Sequence, residues 1–296
     1  MRPRCINHLF LCICIYASIA SAEDSWKFQL DIQGEGGGYR NSLFRNYYVS
    51  GGVYVHANHN RGGVTLGYNR SRIDFKFGIG DIYQEDYYAS GRVHFKPVVL
   101  EGIFTTRFDF YRINNNDPGN YTDDIIILAP QISWINQNRS FYLDVGYARS
   151  IYRRDLDVDQ LTPTVGFAVN DGHDWIQLRT YLIKSSNPLR SQGKHETVAV
   201  DAKWTHYFGD DKPLYFLEYI RVGLLIGERV FAVDGDALDV FNLSNTQKGT
   251  ISLMTKWALT EKQKILLGIG ISRYKNGFIN DTYTLPIGYA GYSISF

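Results

Sequence analysis

The stretch Tyr283–Phe296 (YTLPIGYAGYSISF) decides how the rest of the chain is read. Counting back from the final residue, Phe296, Ile294, Tyr292 and Ala290 are apolar, and Ser295, Ser293, Gly291 and Tyr289 interleave with them. A period of two marks a strand with one apolar and one wet face. Alone, such a strand suits a soluble sandwich as well as a sheet in lipid. The rest of the chain has to choose between them.

The alternation recurs. Trp26, Phe28, Leu30 and Ile32 alternate with Lys27, Gln29, Asp31 and Gln33. Phe141, Leu143, Val145 and Tyr147 alternate with Tyr142, Asp144, Gly146 and Ala148. Val198, Val200, Ala202 and Trp204 alternate with Asp201, Lys203 and Thr205. Turn-forming stretches separate these segments, and no helical period intervenes. Two segments are irregular. Asn69–Ile79 reads as a strand running on past the membrane, with a bulge at Arg70–Arg72. Ile125–Ile135 is apolar on both faces and holds Pro130, which a central strand tolerates poorly. The pattern gives about fourteen strands, or twelve or sixteen if either irregular segment is misread. Short turns alternate with longer loops, chief among them Arg112–Asp124, Arg153–Gln160, Ser185–Lys194 and Glu228–Gln247.

Residues 1–22 combine Arg2 and Arg4, an apolar run from Leu9 to Ile19 and an Ala20-Ser21-Ala22 end, which is the layout of a cleaved secretory signal peptide. Cys5, Cys12 and Cys14 all fall inside it. The expected mature domain, 23–296, therefore has no disulfide, thiol chemistry or cysteine-bound metal. The whole chain carries 31 basic against 30 acidic residues, so no nucleic-acid partner is expected. Tyr (22) outnumbers Phe (17), as amphipathic rings at a membrane–water boundary would produce; a Tyr-rich binding surface would do the same. Beyond the leader no apolar run is long enough for a spanning helix, a test that strands of a barrel escape because only alternate residues face lipid.

The terminal strand, with Tyr292, Ile294 and the closing Phe296, resembles the C-terminal strand of bacterial outer-membrane β-barrels, which the barrel-assembly machinery recognises; Ile294 stands where Tyr is frequent. The resemblance implies an all-β fold: one transmembrane antiparallel β-barrel in the outer membrane, in contact with lipid and lipopolysaccharide. Its first and last strands are neighbours, and both of its ends lie on the periplasmic side.

In such a barrel the wet face is the lumen. The expected lining residues include Asp31, Arg92, Glu101, Arg107, Asp109, Asp144, Arg179, Asp201, Lys203 and Lys256, with both signs interspersed. They suit a pore for small polar solutes with weak ion preference, or charges that pair across strands and hold a narrow lumen together. Glu228–Gln247 (ERVFAVDGDALDVFNLSNTQ) is too apolar for a solvated loop; it folds inward, caps the mouth or packs on the rim. Asp234, Asp236 and Asp239, and separately Asp155, Asp157 and Asp159, lack the ligand spacing of a known calcium loop, so neither metal nor cofactor is expected. Two other functions fit the architecture. A lipid-modifying enzyme needs a hydroxyl nucleophile and a histidine base, with His94 and His206 the candidates. A barrel for export or assembly of surface polysaccharide or lipoprotein would take its helical-repeat region from a separate subunit.

Overall fold

The computed structural model of this protein describes residues 25–296 apart from 79, 98–100, 120, 210–215 and 237. The expected signal peptide and its cysteines lie outside the described residues, as does Leu100, read from sequence as part of a strand. The wall is built from β1 (Lys27–Gly38), β2 (Arg45–His59), β3 (Gly62–Phe75), β4 (Ile82–Phe95), β5 (Ile103–Asn115), β6 (Ile125–Ile135), β7 (Phe141–Tyr152), β8 (Leu156–Val169), β9 (Asp174–Ser185), β10 (Glu196–Tyr207), β11 (Leu217–Arg229), β14 (Thr246–Ala258), β15 (Gln263–Asn276) and β16 (Asp281–Ser295). These fourteen strands close one antiparallel barrel. A small hairpin, β12 (Val233–Asp234) with β13 (Asp239–Val240), stands apart from the wall.

Closure satisfies each strand's backbone on both sides, the condition a sheet must meet in lipid. β1 pairs with β16 from Gln29↔Ser295 to Gly36↔Gly288, so the terminal strand is the seam. The alternation sorts residues as the sequence implies. On β7, Phe141, Leu143, Val145 and Tyr147 are exposed on the outside, while Asp144, Ala148, Ser150 and Tyr152 are buried inside. The exposed outer face is a belt of Val, Leu, Ile and Phe, which only lipid can cover. Near the end bearing the termini, Phe95, Phe104, Trp134 and Phe141 form an outer ring row with centroids 5.6, 6.4 and 6.2 Å apart. Many tyrosines lie elsewhere: Tyr54, Tyr88, Tyr111, Tyr181, Tyr274 and Tyr283 are buried within the barrel.

Three local readings change. No bulge interrupts Arg70–Arg72, because β3 and β4 pair in unbroken register from Gly62↔Val93 to Ile73↔Ile82. The segment looked irregular because β3 outruns the apolar belt, and Arg72 there pairs with Asp74 and Asp81. Ile125–Ile135 is a regular strand, and Pro130 falls where pairing with β7 skips from Leu128↔Arg149 to Gln131↔Gly146. Arg153–Gln160 is mostly strand, since only 153–155 turn before β8 begins. The long–short rhythm is accordingly looser than the sequence suggests: the turn 153–155 at the far end is shorter than the connection 208–216 at the end bearing the termini.

Ile125 and Ile127 are fully buried on the inner face of β6, which explains why that strand is apolar on both sides. Ile127→Ala should cost about 2–4 kcal/mol, because it opens a cavity in a packed interior. Ile132→Ala on the outer face of the same strand should cost far less. Urea unfolding of the detergent-refolded barrel reads both; equal losses would contradict a packed lumen.

Candidate functional site

β11 and β14 are direct neighbours in the wall, so the segment 230–245 leaves the sheet and returns to it at adjacent positions. It turns inward. Val230, Phe231, Ala232 and Val233 are buried against Ile125, Ile127, Tyr152, Leu156, Val158 and Ile183. The Phe231 ring lies 5.0 Å from Tyr152. Gln160 imitates a strand partner: its Nε2 donates to the Val233 carbonyl at 2.7 Å, and its Oε1 accepts from the Val233 N–H at 3.0 Å. The Phe241 N–H donates to the Ala232 carbonyl at 2.8 Å and closes the hairpin. Nearer the mouth, Phe241 stacks on Tyr274 at 5.3 Å, and Asn242 Nδ2 donates to Gln84 Oε1 at 3.1 Å and the Thr122 carbonyl at 3.0 Å. Burying Val230, Phe231 and Val233 stabilises the inward position by about 1.5–3 kcal/mol each.

The tip of the loop is charged. Asp236 bridges two arginines of the wall, accepting from Arg107 Nη1 at 3.1 Å through one oxygen and from Arg179 Nη2 through the other. Asp234 accepts from Arg179 Nη1 at 3.1 Å and from the Tyr181 hydroxyl at 3.0 Å. Wall groups orient both arginines. Arg107 Nε lies 3.1 Å from Asp109 Oδ2, and Arg179 Nε donates to Thr164 Oγ1 at 3.0 Å. Asp144 lies 3.7 Å from Arg179 and is held by Gln131 Nε2 (2.5 Å) and the Tyr142 hydroxyl (2.8 Å). Between the two loop carboxylates sits Gly235, where a Cβ would fall 2.6 Å from Arg107 Nη2 and 2.9 Å from Asp109 Oδ2. A side chain at 235 would have to displace the ends of Arg107 and Asp109.

Nine of the ten expected lining residues lie on inward-facing positions of the wall. Arg107, Asp109, Asp144 and Arg179 meet at the loop tip. Asp31 holds His56 at 3.0 Å, Arg92 Nη2 donates to Asn58 Oδ1 at 2.5 Å, Lys203 pairs with Asp201 at 3.1 Å, and Lys256 lies 3.4 Å from Glu218. The exception is Glu101. It sits exposed in the connection before β5, because Gly102 adopts φ 138° and breaks the alternation one residue before the strand starts. His94 Nδ1 lies 2.8 Å from Thr105 Oγ1 inside the barrel, and His206 Nδ1 lies 2.8 Å from Asp174 Oδ1. Gln160, Tyr181 and Gly235 escape a reading by sequence, and Asp234 and Asp236 enter it only as acids. The available signal was a pair of apolar surfaces needing each other: the loop and the inner face of β6.

Burial alone would push Asp234 toward its neutral form, but Lys203, Arg179 and Arg229 outweigh it and hold the carboxyl well below the usual range. Asp236 is lowered in the same way: burial opposes its charge, and Arg179 and Arg107 prevail. Asp239 is raised by burial, in spite of Arg229. The two lowered carboxylates support docking fully above the ordinary aspartate range and lose that support only as pH falls through their depressed values. Asp239 acts in the opposite sense and favours docking once protonated. Protease access to 230–245 should therefore not rise between about pH 7 and about pH 4, falling instead as Asp239 protonates, and should rise only below that. A rise centred near about pH 6 would contradict the arrangement.

No protein-family model and no curated protein sequence matches this chain. Its fold is similar to solved outer-membrane barrels. A bacterial polysaccharide outer membrane secretin matches at TM-score 0.53 and 9% identity, over 91% of this chain and 98% of that one. The Pseudomonas putida toluene transporter TodX matches at TM-score 0.53 and 8% identity, over 93% and 90%. Acinetobacter baumannii Omp33 matches at TM-score 0.49 and 10% identity, over 91% and 99%. At these identities the likeness is one of fold: this chain is a transmembrane β-barrel of the bacterial outer-membrane type.

Proposed function

We propose that the protein is an outer-membrane pore for small polar solutes, held shut by its loop 230–245. The carrying observation is that a loop, rather than the wall, fills the upper lumen. Fourteen strands spaced about 4.8 Å and tilted about 40° enclose a barrel about 28 Å across between backbones. Side chains reaching in from opposite walls cannot close that span. Below the loop many inward residues are polar or charged, among them Asp31, His56, Arg92, Thr105, Lys203 and Lys256. That lining suits hydrated solutes, and its nearly matched signs fit weak ion preference. On this reading Tyr292, Ile294 and Phe296 present the terminal strand to the barrel-assembly machinery, and the outer belt meets lipid and lipopolysaccharide.

Single-channel recording tests the reading. The unaltered chain should conduct rarely, and a barrel lacking residues 231–241 should give a steady conductance. Arg179→Gln should raise the open fraction roughly tenfold or more, since a hydrogen bond to a charged group contributes about 1.5–3 kcal/mol, and Gly235→Ala should raise it by less. Bilayers that stay closed after the deletion would sink the proposal.

A further inference from the structure

The charged tip of the loop fastens it to the wall. Its chemistry also describes a receptor. Two carboxylates, two residues apart, are held by Arg107 of β5 and by Arg179 and Tyr181 of β9. The donors belong to the wall and the acceptors to a removable segment. Thr164 and Asp109 keep the arginines oriented whether or not the loop is present, so the donors are arranged before any ligand arrives. Asp109 meets Arg107 at Nε, and Asp144 lies 3.7 Å from Nη2 of Arg179, too far for a hydrogen bond; Nη1 of both arginines, and Nη2 of Arg179, give their hydrogen bonds to the loop carboxylates.

A second feature runs up to this point from the end bearing the termini. Arg179 lies opposite Asp201, and Lys203 is two residues further toward that end on β10. Lys203 lies opposite Gly223, and Arg221 is two residues further on β11. Arg221 lies opposite Met254, and Lys256 is two residues further on β14. Lys256 lies opposite Leu266, and Lys264 is two residues further on β15. Five successive strands thus carry one cation each, in a descending flight of steps whose top step is Arg179. The acids beside it are Asp201 at Lys203 and Glu218 at Lys256 and Lys264. Arg221 is held by Thr205 Oγ1 at 2.9 Å and lies over the Tyr219 ring.

We infer that Arg107, Arg179 and Tyr181 form a binding site for a small dicarboxylate, which Asp234 and Asp236 of the loop occupy in the closed barrel. The inference rests on the pore reading and names its solute. A short dicarboxylate led along the cations reaches the same donors and competes with the loop. Because it binds only the undocked state, it shifts the barrel toward opening by its differential affinity. One carboxylate satisfies half of the donors, and a neutral diamide lacks the charge that makes these hydrogen bonds strong.

Succinate and its neutral counterpart succinamide test this on the full chain refolded in detergent, by titration calorimetry. Asp234→Asn with Asp236→Asn should bind succinate at least about tenfold tighter than the unaltered chain, since its own carboxylates no longer compete. Adding Arg179→Gln should abolish that binding, and succinamide should bind to none of the proteins. Equal binding of succinate and succinamide, no gain in the double variant, or inorganic phosphate binding as well as succinate would overturn the assignment. Bilayer recording of the same proteins separates the two readings. Succinate binding with bilayers that stay closed after loop deletion retains the site and sinks the pore. Conductance without succinate binding does the reverse.

Discussion

Lipid offers no hydrogen bonds, so a sheet that crosses it has to close on itself. The rest of this structure follows from closing at fourteen strands. The ladder between β1 and β16 removes the last edge. The circumference that results encloses more space than inward side chains can occupy. An eight-stranded barrel fills itself with its own residues. This one is filled from a loop, and the apolar inner faces of β6, β8 and β9 exist to receive it.

The loop is held in two distinct ways, and the difference shapes its behaviour. Phe231, Val230 and Val233 are held by exclusion from water, which is indifferent to direction and to pH. Asp234 and Asp236 are held by arginines in fixed orientations, which is directional and depends on the charge of the acid. The first gives the closed state its depth. The second sets its register, because each carboxylate meets its own oriented donors, Asp234 at Arg179 and Tyr181 and Asp236 at Arg107 and Arg179. A solute able to imitate the second would loosen the closure without having to dissolve the first.

Much of the fold is legible in the sequence because a strand in a barrel obeys a rule of period two along its whole length. Trp26–Gln33, Phe141–Ala148 and Tyr289–Phe296 show it without interruption, and the strand number and seam follow. The rule fails where the inside stops being wet. Ile125 and Ile127 face protein instead of water, so β6 loses its contrast and reads as doubtful. It fails again past the membrane, where Arg70 and Arg72 make the outside of β3 charged. Contacts across the lumen are harder still. Alternation tells which side of the wall Arg179 is on, but nothing local to it tells that residue 234, from a loop rooted two strands away, will arrive there. The composition of that loop announced that it needed cover. Which residues would cover it depends on register accumulated over many strands.

The loop springs from β11 and β14, yet it is fastened to Gln84 on β4, Arg107 on β5, Gln160 on β8 and Arg179 on β9. Of these, β4 and β5 lie across the barrel from its roots, while β9 and β8 stand two and three places along the wall from β11. A closed sheet is a hoop, stiff along its strands and soft to flattening across them. A segment tied to both sides of a hoop is a spoke. The part that fills the lumen is thus also the part that keeps the cross-section round, and a barrel with that segment withdrawn is a softer ring, shaped more by the lipid pressing on it than by its own interior.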